Sequence, residues 1–397
     1  MSFRFKYEPG TIHYGAGCVE TIEEELATRG IHNAMLVTGR TVGSTRAVVD
    51  PVREGAGDRI AKTFAETTPD KRLSTAFDGA ARIRNGSVDG LLALGSGSSL
   101  DLAKIMAIVA ASDRSTDEIR TEFEQRQTIS MPESELPPIA VVPTTLAGAD
   151  LSMVAGITSR RSGLVRGGVA DPRLMPEAMW YDPDLFRRTP AEILCASAMN
   201  GFDKAIETPY AAARTPISDA TARRALEFLS EGLPRLGEGR RDDKTMHDIV
   251  VGTMLAQYGC SRADGSTLSI IHAFGHGIAR GYAIQQGGAH GIIAPHALAY
   301  LFERIDGRRH LLAEGLVVDD YEDPAAAVVE AVAGVRDSLG LPAQLRAIED
   351  MSEGDLPEIA RDVESDPTLG GLPDTIDPTA DEPVAALDPL HQLRVMS

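Results

Sequence analysis

Short apolar runs alternate with amphipathic segments through the first half of the chain. The runs at 34–38, 90–94 and 136–142 are almost purely apolar, which is typical of strands buried on both faces of a parallel sheet. Helical patterns follow at 71–85 and at 100–107. Further strands are predicted at 11–15, 59–64, 153–158 and 178–181, and a further helix at 19–30. This alternation predicts an α/β unit with a doubly wound parallel sheet, whose ligands bind at the carboxyl ends of the strands.

After Asp182 and Pro183 the pattern changes to a nearly continuous series of helices. The helical patterns lie at 191–210, 217–231, 246–260, 266–280, 291–302 and 324–339. We therefore expect an α/β domain over 1–184 and an all-helical domain over 185–397. The last residues of the chain, about thirty of them and rich in Asp-Pro pairs, are expected to form an acidic irregular tail.

Length and composition describe a globular protein with two domains of ordinary size. Apolar residues make up 43% of the 397 residues, and no apolar run is long enough to span a bilayer. No secretory leader is visible at the N-terminus, so we expect a cytoplasmic protein with no membrane partner. The three cysteines, Cys18, Cys195 and Cys260, are widely spaced, which indicates neither a disulfide framework nor a thiolate zinc site.

The formal net charge of −19 argues against a nucleic-acid partner. Of the 39 basic residues, only six are lysines. Surfaces rich in carboxylates and poor in lysine resemble those of proteins from high-salt cytoplasm, where screening removes the self-repulsion of so acidic a fold. The composition therefore predicts a halophilic protein whose activity requires molar salt.

The turn that follows the run at 90–94 carries two glycines, Gly95 and Gly97, and opens a helix. Glycines there allow a positive φ and close approach of a ligand, while the first N–H groups of the helix and its dipole attract an anion. Asp101 and Lys104 share one helix face, so we expect them either to pair with each other or to bracket the ligand. The alternative is a Ser-capped turn with no ligand, because the motif lacks the third Gly of the usual dinucleotide pattern.

Two pairs of polar residues in the helical half lie four positions apart, so each pair shares one helix face. One pair is Asn200 and Lys204, and the other is His272 and His276, followed by His290. A His pair at this spacing can chelate a metal, with a third His as a further ligand. The alternative is that these histidines are core residues satisfied by backbone carbonyls. Glycines beside the His pair weaken the helix and favour a functional role.

Six segments of the chain together resemble the iron-containing (group III) alcohol dehydrogenase superfamily, and most closely its maleylacetate reductase branch. They are GSGSSLDLAK (95–104), VPTTLAGADLS (142–152), VADPRLMPEAMWYDPDL (169–185), SAMNGFDKAIE (197–207), HAFGHGIA (272–279) and AHGIIAPHALAY (289–300). The resemblance covers nearly the whole chain, and the motifs follow the family's order. It implies a dinucleotide-binding domain over 1–184, a catalytic domain over 185–397 and an active site in the cleft between them.

The resemblance implies an NAD or NADP site on the first domain. The expected contacts are Gly95, Gly97, Ser98, Asp101, Thr144 and Thr145, with Arg166 where the family usually has a cofactor-contacting Lys and His276 near the nicotinamide. Gly39 occupies the position where an acid in many relatives repels a 2′-phosphate, so we expect NADPH to bind as well as NADH. Arg40 can pair with that phosphate.

Metal-dependent members of the superfamily bind iron or zinc through an Asp and three His, and this chain departs from that set. Asn200 stands at the Asp position and Lys204 at the first His position, whereas His272 and His290 are retained. An amide is a poor ligand, and an ammonium cannot bind a cation. The maleylacetate reductases share the Asn but normally keep the His. We therefore expect no metal, with Asn200, Lys204, His272, His276 and His290 as the catalytic residues.

The resulting hypothesis is a metal-independent, NAD(P)-dependent reductase or alcohol dehydrogenase that acts on a small carbonyl or alcohol substrate. Lys204 would donate a hydrogen bond to the carbonyl oxygen in place of the metal and then deliver the proton, provided that burial lowers the pKa of Lys204 toward neutrality. The histidines would orient the substrate or relay protons. Arg166 and Arg280 are candidates to hold a substrate carboxylate. The resemblance also implies a homodimer.

Other functions stay open at this point. A metal-dependent alcohol dehydrogenase would regroup His272, His276 and His290 around zinc or iron. A catalytically inactive protein would bind the nucleotide without hydride transfer, and Lys204 would then make only a salt bridge on its own helix. A lyase of the dehydroquinate-synthase type shares the broad architecture, but those enzymes need the metal ligands that this chain lacks.

Overall fold

The computed structural model describes residues 3, 10–161, 163–262, 265–319, 321–373 and 376 of the chain. The chain divides into two compact units, of which the first ends at Thr189 and the second begins at Pro190. The domain boundary expected after residue 184 stays a prediction.

The first unit is built on a six-stranded sheet in which every strand pair is parallel. The strands of the unit are β1 (Thr11–Tyr14), β2 (Ala34–Gly39), β3 (Ile60–Thr67), β4 (Gly90–Gly95), β5 (Ile139–Pro143), β6 (Val154–Ser159), β7 (Val165–Ala170) and β8 (Ala178–Tyr181). The order across the sheet is β1-β8-β5-β4-β2-β3, and β6 pairs with β7 in a separate antiparallel ladder. The strand order reverses between β2 and β4, which confirms the doubly wound sheet.

Helices connect these strands and cover the sheet. They are α1 (Ile22–Thr28), α2 (Arg40–Ser44), α3 (Arg46–Ala56), α4 (Leu73–Arg84), α5 (Gly97–Ala111), α6 (Thr116–Arg126) and α7 (Pro183–Arg187). The strands β4 and β5 are buried along their whole lengths, as their apolar sequences require in a sheet covered on both faces. Leu92, Leu94 and Val142 belong to one core cluster with Trp180. The indole N–H of Trp180 donates to Thr21 Oγ1 at 2.9 Å.

Five elements of this unit were not among those predicted, namely α2, α3, α6, α7 and β7. The interior of α3 contains Pro51, which interrupts a helical pattern. The sequence of β7 is VRGGVA, and its two glycines weaken a strand pattern. Only Ile119 and Phe123 are buried in α6, so its apolar periodicity is faint. The capping box formed by Ser115 and Glu118 was the available signal for that helix.

The second unit is helical, with one exception. Its helices are α8 (Ala191–Glu207), α9 (Pro216–Gly237), α10 (Asp243–Cys260), α11 (Ile270–Gly281), α12 (Gln286–Arg304), α13 (Arg309–Gly315), α14 (Pro324–Ser338) and α15 (Leu356–Glu364). The exception is a short antiparallel ladder between β9 (Ser261–Arg262) and β10 (Gly265–Ser266), which was not among the predicted elements. The helix predicted over 266–280 therefore begins only at Ile270.

Residues 366–371, at the start of the predicted acidic tail, have a defined structure. Asp366 caps a short 3₁₀ turn, Pro367–Gly371, through a bond from Thr368 N to its carboxylate at 3.0 Å. Residues 377–397, which make up most of the predicted tail, lie outside the described residues. Over the described ranges, no helix has the length and apolar character needed to cross a membrane.

Candidate active site

The turn between β4 and α5 has the geometry of an anion site. Gly95 ends β4 with a φ of 131°, and a Cβ at this position would lie 3.3 Å from Ser99 Oγ. Ser96 is the N-cap of α5, but its side chain does not cap the helix and instead bonds to Ser98 Oγ at 2.9 Å. No acidic residue lies in the first turn of α5. The positive end of this 15-residue helix is therefore suited to receive a phosphate.

The turn after β2 lies at the same edge of the sheet. Gly39 ends β2, and the exposed Arg40 begins α2. A Cβ at Gly39 would lie 3.4 Å from Thr67 Oγ1 and 4.0 Å from Ser99 Oγ. These two hydroxyls bond to each other at 2.7 Å. The ends of β2 and β3 and the first turn of α5 thus converge where the strand order reverses, which is where open parallel sheets bind ligands.

The threonine loop after β5 is attached to the glycine turn. The N–H of Thr144 donates to the carbonyl oxygen of Gly95 at 3.0 Å. The carbonyl oxygen of Thr144 accepts a bond from Thr189 Oγ1 at 2.6 Å. Thr144 and Thr145 are both buried. This part of the loop is therefore held directly beside the turn that carries Gly95 and Gly97.

Asp101, which was expected among the cofactor contacts, is bound within the protein. Its carboxylate accepts bonds from Lys71 Nζ at 2.8 Å and from Gly156 N at 3.2 Å. The bond from Gly156 connects α5 to β6, and the bond from Lys71 connects α5 to the residues before α4. Pairing with Lys104, one of the two arrangements expected for Asp101, is wrong because both side chains are engaged elsewhere. Arg166 lies half-buried on β7.

Lys104 is fully buried and bonds to backbone carbonyls. Its Nζ donates to Ala149 O at 2.8 Å, to Ser152 O at 2.5 Å and to Val154 O at 3.2 Å. Burial lowers the pKa of Lys104 to about 8. An ammonium has three N–H donors, so these bonds use all of them. Lys104 therefore holds the segment after the threonine loop and has no donor left for a ligand.

In the second unit, one face of α8 carries four polar side chains, those of Asn200, Asp203, Lys204 and Glu207. Spacings of three and four residues bring them to the same side of the helix. All four are buried. The helix α12 approaches α8 closely, since a Cβ at Gly287 would lie 1.7 Å from a carbonyl oxygen of α8.

His272 is bound to Glu207 at the start of α11. The Nδ1 of His272 lies 2.5 Å from Glu207 Oε2. The same carboxyl group accepts the N–H groups of Ser269 at 3.0 Å, Ile271 at 2.7 Å and His272 at 3.3 Å, so it satisfies the first donors of α11. Burial lowers the pKa of His272 well below its usual value, so the ring is neutral at pH 7. Its Nε2 has no hydrogen-bond partner among the described residues.

His290 comes from α12 and is fully buried against His272, with 4.4 Å between the ring centroids. Its Nδ1 lies 3.2 Å from Asp203 Oδ2, but the alignment is poor. Over the described part of the chain, neither nitrogen of His290 and neither carboxylate oxygen of Asp203 has a hydrogen-bond partner. Burial and then the charge of Glu207 raise the pKa of Asp203 well above its usual value, whereas burial lowers the pKa of His290. Gly275 makes room for the imidazole, since a Cβ there would lie 2.1 Å from His290 Nε2.

His276 continues this row of imidazoles. Its ring centroid lies 6.3 Å from that of His272, and its side chain is 32% exposed. The Nδ1 of His276 lies 3.0 Å from Asp366 Oδ2, and the same oxygen accepts a bond from Arg280 Nη2 at 2.9 Å. Arg280, a candidate for holding a substrate carboxylate, is therefore engaged by a carboxylate of the protein itself.

The residues present do not fit an iron or zinc ion. Within the described ranges, no group of three or more His, Cys, Asp and Glu side chains is arranged to hold a metal. Burial is the main cause of the low pKa values of His272 and His290, and the positive charge of Lys204 adds to it. An ammonium this close repels a cation, and the amide of Asn200 is a poor ligand.

Sequence reasoning missed one residue of this site and the partners of two others. Asp366 lies ninety residues from His276 in sequence and was assigned to the tail. The Asp-Pro-Thr sequence at 366–368 was a capping signal, but nothing in it points to a histidine. Asp203 and Glu207 share a helix face with Lys204 and were considered only as its salt-bridge partners, not as partners of His290 and His272.

Two models of one family match the chain, "Iron-containing alcohol dehydrogenase" over residues 9–183 and "Fe-containing alcohol dehydrogenase family, C-terminal" over residues 194–380. The maleylacetate reductase of Pseudomonas aeruginosa is 27% identical over 361 residues, which cover 90% of each chain. The lactaldehyde reductase of Escherichia coli (strain K12) is 24% identical over 370 residues, which cover 91% of this chain and 94% of that protein.

A similar fold occurs in the crystal structure of sulfoacetaldehyde reductase from Bifidobacterium kashiwanohense in complex with NAD+. The TM-score is 0.85, and the match covers 100% of both chains at 20% sequence identity. At this identity the likeness shows the fold alone, a parallel-sheet unit followed by a helical one.

Proposed function

Because the chain belongs to the iron-containing alcohol dehydrogenase superfamily, near its maleylacetate reductase branch, and is an NAD(P)-dependent oxidoreductase, we propose that it reduces a small carbonyl compound without a metal. The observation that carries the proposal is the position of Lys204, which is buried beside two neutral imidazoles in a set of side chains that does not fit a cation. The reverse reaction, oxidation of the alcohol, uses the same groups.

In this proposal the first unit binds the cofactor at the reversal point of the sheet. The residues proposed to hold it are Gly39, Arg40, Gly95, Gly97, Ser98, Thr144, Thr145 and Arg166, with Asp101 acting through its bonds to Lys71 and Gly156. Phosphates are suited to the start of α5 because its N-terminus carries neither a side-chain cap nor an acid. When bound, the nicotinamide supplies the hydride.

Lys204 provides the positive charge at the reacting oxygen. Its ammonium donates a hydrogen bond to the substrate carbonyl and stabilises the negative charge that develops on oxygen as the hydride reaches carbon. The proton then moves from Nζ to oxygen, so that one N–H bond breaks, one O–H bond forms and a neutral amine remains. His272 and His290 orient the substrate, and the partly exposed His276 returns a proton from solvent.

The substrate class proposed is a small carbonyl compound that carries a carboxylate. This choice is supported by the maleylacetate reductases among the relatives. Arg280 is not proposed as the partner of this carboxylate, because it is already bound to Asp366. We also propose that NADPH is accepted alongside NADH, because Gly39 places no carboxylate beside a 2′-phosphate.

The test compares Lys204→Met with the wild type in molar salt. Oxidation of NADH and NADPH is followed with maleylacetate, aldehydes and keto acids. Loss of the proton donor is expected to lower kcat by about 100- to 10,000-fold, with little change in the dissociation constant of the nucleotide. The matched control is Lys244→Met, which removes a lysine bonded to Glu231 and Asp248 on the surface and is expected to retain normal turnover.

Normal turnover by Lys204→Met would contradict this role. If the wild type binds nucleotide tightly but oxidises it with no carbonyl compound, the chain is a nucleotide-binding protein without catalysis. Light scattering on the same samples tests the proposed homodimer.

A further inference from the structure

The Nδ1 atoms of all three histidines of the site lie beside a carboxyl group of the protein. The pairs and the distances from Nδ1 to oxygen are His272 with Glu207 at 2.5 Å, His290 with Asp203 at 3.2 Å and His276 with Asp366 at 3.0 Å. A carboxylate on one nitrogen of an imidazole fixes the ring and selects its tautomer. Two of these carboxyl groups come from α8, next to Lys204, but Asp366 comes from the far end of the described chain.

The surroundings of Asp366 are those of an ionised carboxylate. Oδ2 accepts bonds from His276 at 3.0 Å and Arg280 at 2.9 Å, and Oδ1 accepts Thr368 N at 3.0 Å and Thr368 Oγ1 at 2.6 Å. Its side chain is 1% exposed. Burial alone would raise the pKa of Asp366, but the bonds from His276 and Thr368 hold it below its usual value. An ionised carboxylate can only accept hydrogen bonds.

The backbone around Asp366 is fixed on the second unit. His276 and Arg280 are four residues apart on α11, so both side chains reach the same carboxylate oxygen. At the other end of the turn, the carbonyl oxygen of Gly371 accepts the N–H of Ala212 at 3.0 Å. A Cβ at Gly371 would lie 1.9 Å from the carbonyl oxygen of Leu268, so only glycine permits this approach.

We infer that Asp366 is a positioning residue, which holds His276 in the tautomer with hydrogen on Nδ1 and so presents an unprotonated Nε2. The inference rests on the proposed function and adds a residue from the C-terminal segment to the site. With Nδ1–H bound to Asp366, the Nε2 of His276 accepts hydrogen bonds and can take up and pass on a proton. Arg280 acts with it, since it fixes the carboxylate from the second side.

The direct test is the tautomer itself. Protein labelled with ¹⁵N in its histidines is studied by long-range ¹H–¹⁵N correlation, and the signals of His276 are assigned by their loss in His276→Gln. The expected spectrum shows a protonated Nδ1 and an unprotonated Nε2. A wild-type spectrum with hydrogen on Nε2 alone overturns the inference, and this result needs no catalytic activity.

The second test compares two Asp-Pro caps. Asp366→Asn removes the charge beside His276. The control, Asp323→Asn, removes the charge of the Asp that caps α14. Like Asp366, Asp323 precedes a Pro, and its carboxylate accepts a bond from Ala325 N at 2.8 Å. Asn is as good an N-cap as Asp, so both variants are expected to fold. Asp366→Asn is expected to lower kcat by about tenfold or more and to alter the His276 signals, with the nucleotide dissociation constant unchanged. Asp323→Asn is expected to do neither.

Equal kinetics and equal His276 spectra in the two variants would overturn the inference. The outcome stays separate from that of the proposed function. If Lys204→Met is active while His276 has the expected tautomer, only the role of Lys204 is wrong. If Lys204→Met is inactive while His276 carries hydrogen on Nε2 alone, only the role of Asp366 is wrong. If Asp366→Asn fails to fold, the wild-type spectrum decides alone.

Discussion

Each unit of the chain contains a buried lysine, and the two lysines have different surroundings. Lys104 in the parallel-sheet unit is fully buried, and its three donors meet three backbone carbonyls. Lys204 in the helical unit is 5% exposed and lies among ionisable side chains. Beside it, over the described residues, Asp203 and two imidazole Nε2 atoms have no hydrogen-bond partner.

In the proposed function, Lys104 has a structural role and Lys204 a chemical one. Buried polar groups in folded proteins are nearly always hydrogen-bonded, and exceptions concentrate at functional sites. The surroundings of Lys104 are satisfied without a ligand, so its burial stabilises a loop. Around Lys204, the carboxyl oxygens of Asp203 and the Nε2 atoms of His272 and His290 have no partner within the described residues, as the proposed ligand site requires.

The largest expected effect is on stability and distinguishes the two lysines. Lys104→Met removes the donor of three backbone carbonyls and is expected to lower the free energy of unfolding by about 3 kcal/mol. Lys204→Met replaces a buried ammonium, which is costly to desolvate, by an apolar side chain, so the free energy of unfolding is expected to fall by less than in Lys104→Met. Denaturant titration of both variants in molar salt measures the contrast. Equal losses of stability in the two variants would contradict it.

A smaller effect is expected at Gly275, which packs on the imidazole of His290. In Gly275→Ala the new Cβ would lie 2.0 Å from His290 Cδ2, so the ring must move. We expect a loss of about 1–3 kcal/mol in the free energy of unfolding and a lower kcat. The matched control is Gly334→Ala on α14, where no heavy atom lies within 4 Å of the new Cβ.

Because alanine favours helix over glycine by about 1 kcal/mol, Gly334→Ala is expected to stabilise the protein without altering turnover. If Gly275→Ala behaved like this control, the close packing of His290 in the site would be wrong.

The smallest expected effect concerns the cofactor edge of the first unit. Gly39 has a φ of −81°, which any residue adopts, so Gly39→Asp introduces a carboxylate without backbone strain. Repulsion of the 2′-phosphate is expected to raise the KM for NADPH by about tenfold, with little change for NADH. Gly39→Ala controls for the added Cβ. A KM that rises equally for both cofactors would place the phosphate elsewhere.

Local pattern predicted most of the fold because the central strands are apolar throughout and the helices of the second unit are strongly periodic. The pairing of Asn200 with Lys204 on one face followed from spacing alone. The contact between Asp366 and His276 could not be predicted, because it depends on how a distant capped turn docks on α11. The ladder at β9 and β10 was missed because each strand has only two residues.

The central claim is that Lys204 replaces a metal at the reacting oxygen. Metal content and NAD(P)H oxidation, measured in molar salt on one chelator-treated sample with maleylacetate and other carbonyl compounds, test it most directly. The account predicts that metal-free protein retains full turnover. Loss of turnover with the chelator, and its recovery with zinc or iron, would show that the histidines hold a metal and would contradict the role given to Lys204.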